Sequence, residues 1–82
     1  MELKKLVEVQ VGQTGTIKKV EGEGKVRRRL FDMGVTPNAN FFVRKKAPLG
    51  DPIELTIRGY ELSLRKDEAE LVLVTVDEED NQ

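Results

Sequence analysis

The chain contains no cysteine and no histidine. Without cysteine no disulfide can staple the fold, and no thiolate is available as nucleophile or soft metal ligand. Without histidine the commonest metal ligand and the commonest general base are missing. Nucleophile–base pairs of the familiar kinds cannot be assembled, so the expectation is a protein that binds a partner and is not an enzyme. Aromatic residues are scarce, with three Phe, one Tyr and no Trp, a thin supply for stacking on nucleic-acid bases. Long apolar runs are absent too. The longest is Leu71–Val74, against the roughly 20 residues of a spanning helix. Met1–Lys5 carries two lysines with no apolar stretch behind it of the kind that marks a signal peptide. A cytoplasmic location is the default expectation.

At 82 residues the chain has room for one domain. A core of this size supplies about 3–5 kcal/mol of net stability, which packing and hydrogen bonds alone must provide. Acids and bases nearly balance, 15 against 14, but they are segregated. Asp77-Glu78-Glu79-Asp80-Asn81-Gln82 has four acids and no base, and residues 77–82 read as a frayed, solubilising tail to a domain at 1–76. The body is mildly basic, with clusters at Lys18-Lys19, Lys25-Val26-Arg27-Arg28-Arg29 and Arg44-Lys45-Lys46.

Apolar periodicity assigns most of the chain. Val7, Val9 and Val11 alternate, as in a short extended segment. Thr16–Val20 reads as a strand that ends at Gly22-Glu23-Gly24. Val26, Leu30 and Met33 then fall on one face of a helix over residues 25–33. Gly34 stands where a left-handed C-terminal cap belongs, with Val35 placed to touch Leu30. Phe41–Lys46 reads as a strand and Ala47–Pro52 as a loop. Ile53, Leu55 and Ile57 alternate with polar residues, as do Tyr60, Leu62 and Leu64 after Gly59. That glycine suggests the sharp bend or bulge that curls a sheet into a barrel, and the parity of Tyr60 points it into the core. Lys66–Glu70 reads as one helical turn and Leu71–Val76 as a closing strand. The economical architecture is mainly β: a small, strongly bent antiparallel barrel of about five strands with one inserted short helix.

Three blocks in order carry a resemblance: Arg28–Pro37, Ala47–Leu55 and Arg58–Lys66. Together they resemble the ferrous iron transport protein A (FeoA) family over most of the chain. The resemblance implies an SH3-like barrel with a helix inserted after the first barrel strand. It also implies a cytosolic accessory or regulatory role in bacterial ferrous iron uptake. The implied partner is the cytosolic part of a membrane ferrous iron transporter that carries a GTPase domain, which would bring the chain to the membrane only through that partner. One residue departs from the family pattern: Asn38 stands after Pro37 where glycine is expected, and Asn tolerates positive φ.

The residues themselves nominate the docking surface. Candidates are the basic helix face (Lys25, Arg28, Arg29) and the loop Leu49-Gly50-Asp51. Leu49, held between Pro48 and Gly50, is either a lid folded back on the barrel or an exposed anchor. The competing reading is an SH3-like module that binds nucleic acid through the basic clusters. A near-neutral chain with an acidic tail and few aromatics weighs against it. No cofactor is expected. Gly22-Glu23-Gly24 lacks the spacing of a phosphate loop. The carboxylates Glu21/Glu23 and Asp67/Glu68/Glu70 read as solvated turns. With oxygen donors and two thioethers only, no dedicated metal site is expected; Glu68, Glu70 and the tail are at most weak divalent-ion ligands. Weak self-association through a free strand edge stays open.

Overall fold

The computed structural model describes residues 2–77. Its elements are β1 (Lys4–Lys5), β2 (Thr14–Val20), helix α1 (Gly24–Asp32), β3 (Asn40–Lys46), β4 (Ile53–Ile57), β5 (Tyr60–Leu64), the single-turn helix α2 (Lys66–Ala69) and β6 (Val72–Val76). Short 3-10 turns cover Leu6–Glu8 and Pro48–Gly50. All strands pair antiparallel in one sheet ordered β1-β6-β2-β3-β4-β5. The two-residue β1 raises the strand number to six where the periodicity indicated about five.

The sheet is bent by bulges. Between Ile17 and Lys19 the register against β6 slips by one residue, and between Val43 and Lys45 the register against β4 does the same. An extra residue on one strand sharpens the twist and bends the pair, so Lys18 and Arg44 mark the corners. Gly59 does something else. Arg58 (φ 55) and Gly59 (φ 83) are the two residues of a tight hairpin that sets Ile57 opposite Tyr60. Two consecutive positive φ values match the twist of the flanking strands. Arg58, unusual in that conformation, is held there as its Nη2 donates to Thr36 Oγ1 (2.7 Å).

The segment Val7–Val11 is not a strand. Leu6–Glu8 forms a 3-10 turn closed by the Val9 amide on the Leu6 carbonyl (3.0 Å). It buries Leu6 and Val9 and leaves Val11 exposed. Helix α1 ends as its glycine indicates. Gly34 has φ +98, the Val35 amide donates to the Leu30 carbonyl and the Gly34 amide to the Phe31 carbonyl, both at 3.0 Å. This is the paired bonding of a Schellman cap.

The core draws on every layer of the bent sheet. Leu6, Val9, Ile17, Leu30, Val35, Val43, Ile53, Leu55, Ile57, Leu64, Val72 and Val74 are fully buried. Two expected members are missing. Val26 is 42% exposed; residues 21–29 are all exposed, and α1 is buried only from Leu30 on. Tyr60 is 72% exposed. It shares a face with Ile57 and Leu62, as its parity requires, but it sits at a hairpin tip on an edge strand, beyond the reach of the core. Among the described residues no helix is long and apolar enough to cross a membrane.

Asp77 is tied to β2. The Asp77 amide donates to the Thr14 carbonyl and the Thr14 hydroxyl to Asp77 Oδ2, both at 2.9 Å. Asp77 thus extends the β2–β6 pairing. Residues 78–82 lie outside the described residues.

Candidate partner-docking surface

The loop between β3 and β4 is built to hold one apolar side chain in water. Pro48 presets φ at the start of the turn, and the Gly50 amide closes it on the Ala47 carbonyl (2.8 Å). The Ala47 amide reaches across the base to the Pro52 carbonyl (3.0 Å). Asp51 anchors the far side, accepting at Oδ1 from the Lys66 amide at the start of α2 (3.1 Å). On this frame Leu49 adopts φ 66, ψ 13 and is 91% exposed. Leu49 is not a lid.

For a leucine the left-handed region costs about 1–2 kcal/mol, and exposure of its side chain gains nothing in return. Strain of that kind, held by a hydrogen-bonded surround, clusters at ligand clamps and switch regions. Gly50, at φ 73, supplies the second left-handed residue of the turn at no steric cost.

Lys25 and Arg28 lie on the exposed part of α1 and form no ion pair among the described residues. Arg29 is different. Its Nη1 donates to Glu68 Oε2, and Glu68 is only 6% exposed. The second Glu68 oxygen, Oε1, accepts from the Arg65 amide that opens α2 (3.0 Å). Glu68 is therefore not the solvated turn residue that its charged neighbours suggest, and its carboxylate is occupied by protein donors. Arg27, not singled out from the sequence, packs its guanidinium 4.6 Å from the centre of the Phe31 ring while Nε donates to the Val20 carbonyl (3.2 Å).

These bonds bring two of the candidate elements together. The Leu49 loop is fastened to α2 through Asp51, and the basic helix α1 through Arg29 and Glu68, so one four-residue helix orients both. Of the candidate cations on the helix, Lys25 and Arg28 are free of ion pairs among the described residues; Arg29 and Asp51 position. An open cleft of about 370 Å³ lies beside this junction, lined by Asp51, Arg65, Lys66, Asp67 and Glu70. Among the described residues no group of three or more Asp or Glu is placed to hold a metal ion.

The junction makes a measurable demand on stability. Hydrogen bonds to charged groups contribute about 1.5–3 kcal/mol, reduced here because the Arg29 side chain is half exposed and screened by water. Glu68→Ala is expected to lower the unfolding free energy by about 1–2 kcal/mol in urea melts. Glu68→Gln, which keeps an acceptor for the Arg65 amide, should lose roughly half of that. Equal losses for the two variants would assign the effect to packing and not to the bonds.

Residues 4–76 match the family model of the FeoA domain. The chain is 37% identical over 65 residues to an Fe(2+) transport protein A/Fe(2+) transporter FeoB fusion protein of Porphyromonas gingivalis, a match that takes in 79% of this chain and 8% of that protein's length. The solution structure of an FeoA-like protein from Clostridium acetobutylicum superposes with a TM-score of 0.90 at 40% identity, covering 100% of this chain and 95% of the other. The zinc complex of Stenotrophomonas maltophilia FeoA, described as a prokaryotic SH3 domain protein, is similar in fold, with a TM-score of 0.74 at 23% identity over 85% and 87% of the two chains. The bent barrel is SH3-like, and the chain belongs to the FeoA family.

Proposed function

We propose that the chain is a cytosolic, non-catalytic accessory protein of bacterial ferrous iron uptake that docks on the cytosolic part of a membrane iron transporter carrying a GTPase domain. The observation that carries the docking mode is Leu49, an apolar side chain held in water by a proline, a glycine and the Asp51 bond to α2. A preformed loop loses little conformational freedom on binding. The P. gingivalis fusion supports the choice of partner. Joining two modules in one chain raises their effective concentration, an arrangement that serves modules acting on each other.

In this reading Leu49 enters an apolar pocket of the transporter, Gly50 lets the loop backbone approach closely, and Asp51 keeps the loop on α2. Lys25 and Arg28 face an acidic surface of the same partner and steer the encounter. The direct test is a titration of the isotope-labelled chain with the transporter's cytosolic domain, with and without guanine nucleotide. Saturable shifts should centre on residues 47–52 and the exposed face of α1. Shifts confined to the outer face of β2–β4, or none, would defeat the reading.

Charge at a rim changes association more than dissociation. Arg28→Glu is therefore expected to slow association about 3–10-fold at low salt and to flatten its salt dependence, with dissociation nearly unchanged. Rapid-mixing kinetics at two ionic strengths check this. An oligonucleotide that binds more tightly than the transporter domain, with a steep loss in salt, would replace the proposal with the nucleic-acid reading.

A further inference from the structure

The two edges of the sheet are finished differently. β1 is two residues long and both are lysines, a combination that discourages pairing with another chain. β5 is five residues long, carries neither lysine nor proline, and pairs only with β4 among the described residues. The tight hairpin makes Ile57 and Tyr60 a hydrogen-bonded pair, so the amides and carbonyls of Tyr60, Leu62 and Leu64 face β4. Those of Glu61 and Ser63 face outward. Arg65 would extend this row, but its amide already donates to Glu68 Oε1. The open edge is thus two residues long, with Tyr60 and half-buried Leu62 bordering it on one face.

We propose that this edge pairs with β5 of a second copy of the chain, antiparallel about a two-fold axis at Leu62. In that register Glu61 exchanges backbone hydrogen bonds with Ser63 of the other copy, and Ser63 with Glu61. Half-buried Leu62 meets Leu62 on the apolar face, while Leu64, opposite Tyr60 in this register, is fully buried in its own core and adds no contact. No like charges stand directly opposite, and Glu61 already has Arg44 at 3.7 Å to offset its charge. A contact this short stays below the roughly 1,200 Å² of a standard interface, so the pairing is weak and reversible. It uses no residue of the Leu49 loop.

Sedimentation equilibrium of the full chain over about a hundredfold concentration range tests this, because mass action makes a homodimer concentration-dependent. The average mass should climb toward twice the monomer. Amide exchange at Glu61 and Ser63, followed by NMR, should slow several-fold over the same range while Tyr60 and Leu62 amides hold constant. Ser63→Pro removes one outward donor at an edge position where proline is tolerated, and it should remain monomeric throughout. A constant monomer mass overturns the proposal. So does dimerisation without change at Glu61 and Ser63, or a folded Ser63→Pro chain that dimerises like the parent. If Ser63→Pro does not fold, the exchange data on the parent decide. Protection that appears only when a foreign extended peptide is added would assign the edge to another occupant and also overturn it.

Discussion

Gly15→Ala is expected to remove about 3 kcal/mol or more of stability, most of what a domain of this size has. Gly15 lies buried in β2, between Val76 of β6 and Phe41 of β3. A Cβ there would overlap the Thr75 carbonyl oxygen and stand 2.8 Å from Cζ of the Phe41 ring. Overpacking typically costs about 1–3 kcal/mol when the neighbours can shift. Here the first obstacle is backbone of an adjacent strand and the second is a core aromatic, so neither yields cheaply. The loss is steric and not conformational, because Gly15 has no positive φ. Gly12 supplies the contrast: its φ is +94 with nothing within 4 Å of an added Cβ, and Gly12→Ala should cost only about 1 kcal/mol of backbone strain. Urea melts and amide spectra of the two variants separate these cases. A Gly15→Ala chain as stable as the parent would show that β2 and β6 can move apart. Binding to a partner should fall only in proportion to the folded fraction, since Gly15 lies away from the docking loop.

The close approach at Gly15 illustrates which features were legible in the sequence. Local periodicity places β2, β3, β4, β5 and β6 and the helix stop at Gly34, because alternation and caps depend on near neighbours. The shift of phase between Ile57 and Tyr60 was visible as well, but it marks a two-residue hairpin and not a bend. Bulges at Lys18 and Arg44 leave no trace in the chain itself; they exist only as a mismatch between two strands. Glu68 is buried through an arginine 39 positions away, beyond any local pattern. Its spacing from Arg65, three residues before it at the helix start, was the one local hint of a cap. The valines at 7, 9 and 11 alternate as a strand would, yet none pairs with a strand among the described residues, and a turn buries Leu6 and Val9 instead. At the candidate site the loop residues were legible because proline and glycine advertise a rigid turn. The division of the arginines into free and paired was not, since it depends on α2.

Leu49 joins these threads, because stability and docking make opposite demands on it. Its left-handed conformation costs about 1–2 kcal/mol in the free domain, and its side chain offers about 1.5–3 kcal/mol if fully buried on a partner. Asparagine tolerates the same backbone region and lacks the apolar branch. Leu49→Asn is therefore expected to leave the unfolding free energy unchanged or raise it by up to about 1 kcal/mol. The same substitution should weaken docking on the transporter's cytosolic domain by about 10–100-fold, mainly through faster dissociation. Leu49→Met keeps an apolar side chain of similar volume, so it should retain docking within a few-fold. Leu49→Gly tests the backbone alone: strain is relieved, partly offset by about 0.5–1 kcal/mol of added freedom in the unfolded chain, and the anchor is lost. Calorimetry of the three variants, paired with urea melts, reads both quantities. Leu49→Asn that binds like the parent would remove Leu49 from the interface. A large fall in stability would mean that its side chain packs on the barrel after all. A gain in stability with a loss of docking is the combination that a strained functional loop requires.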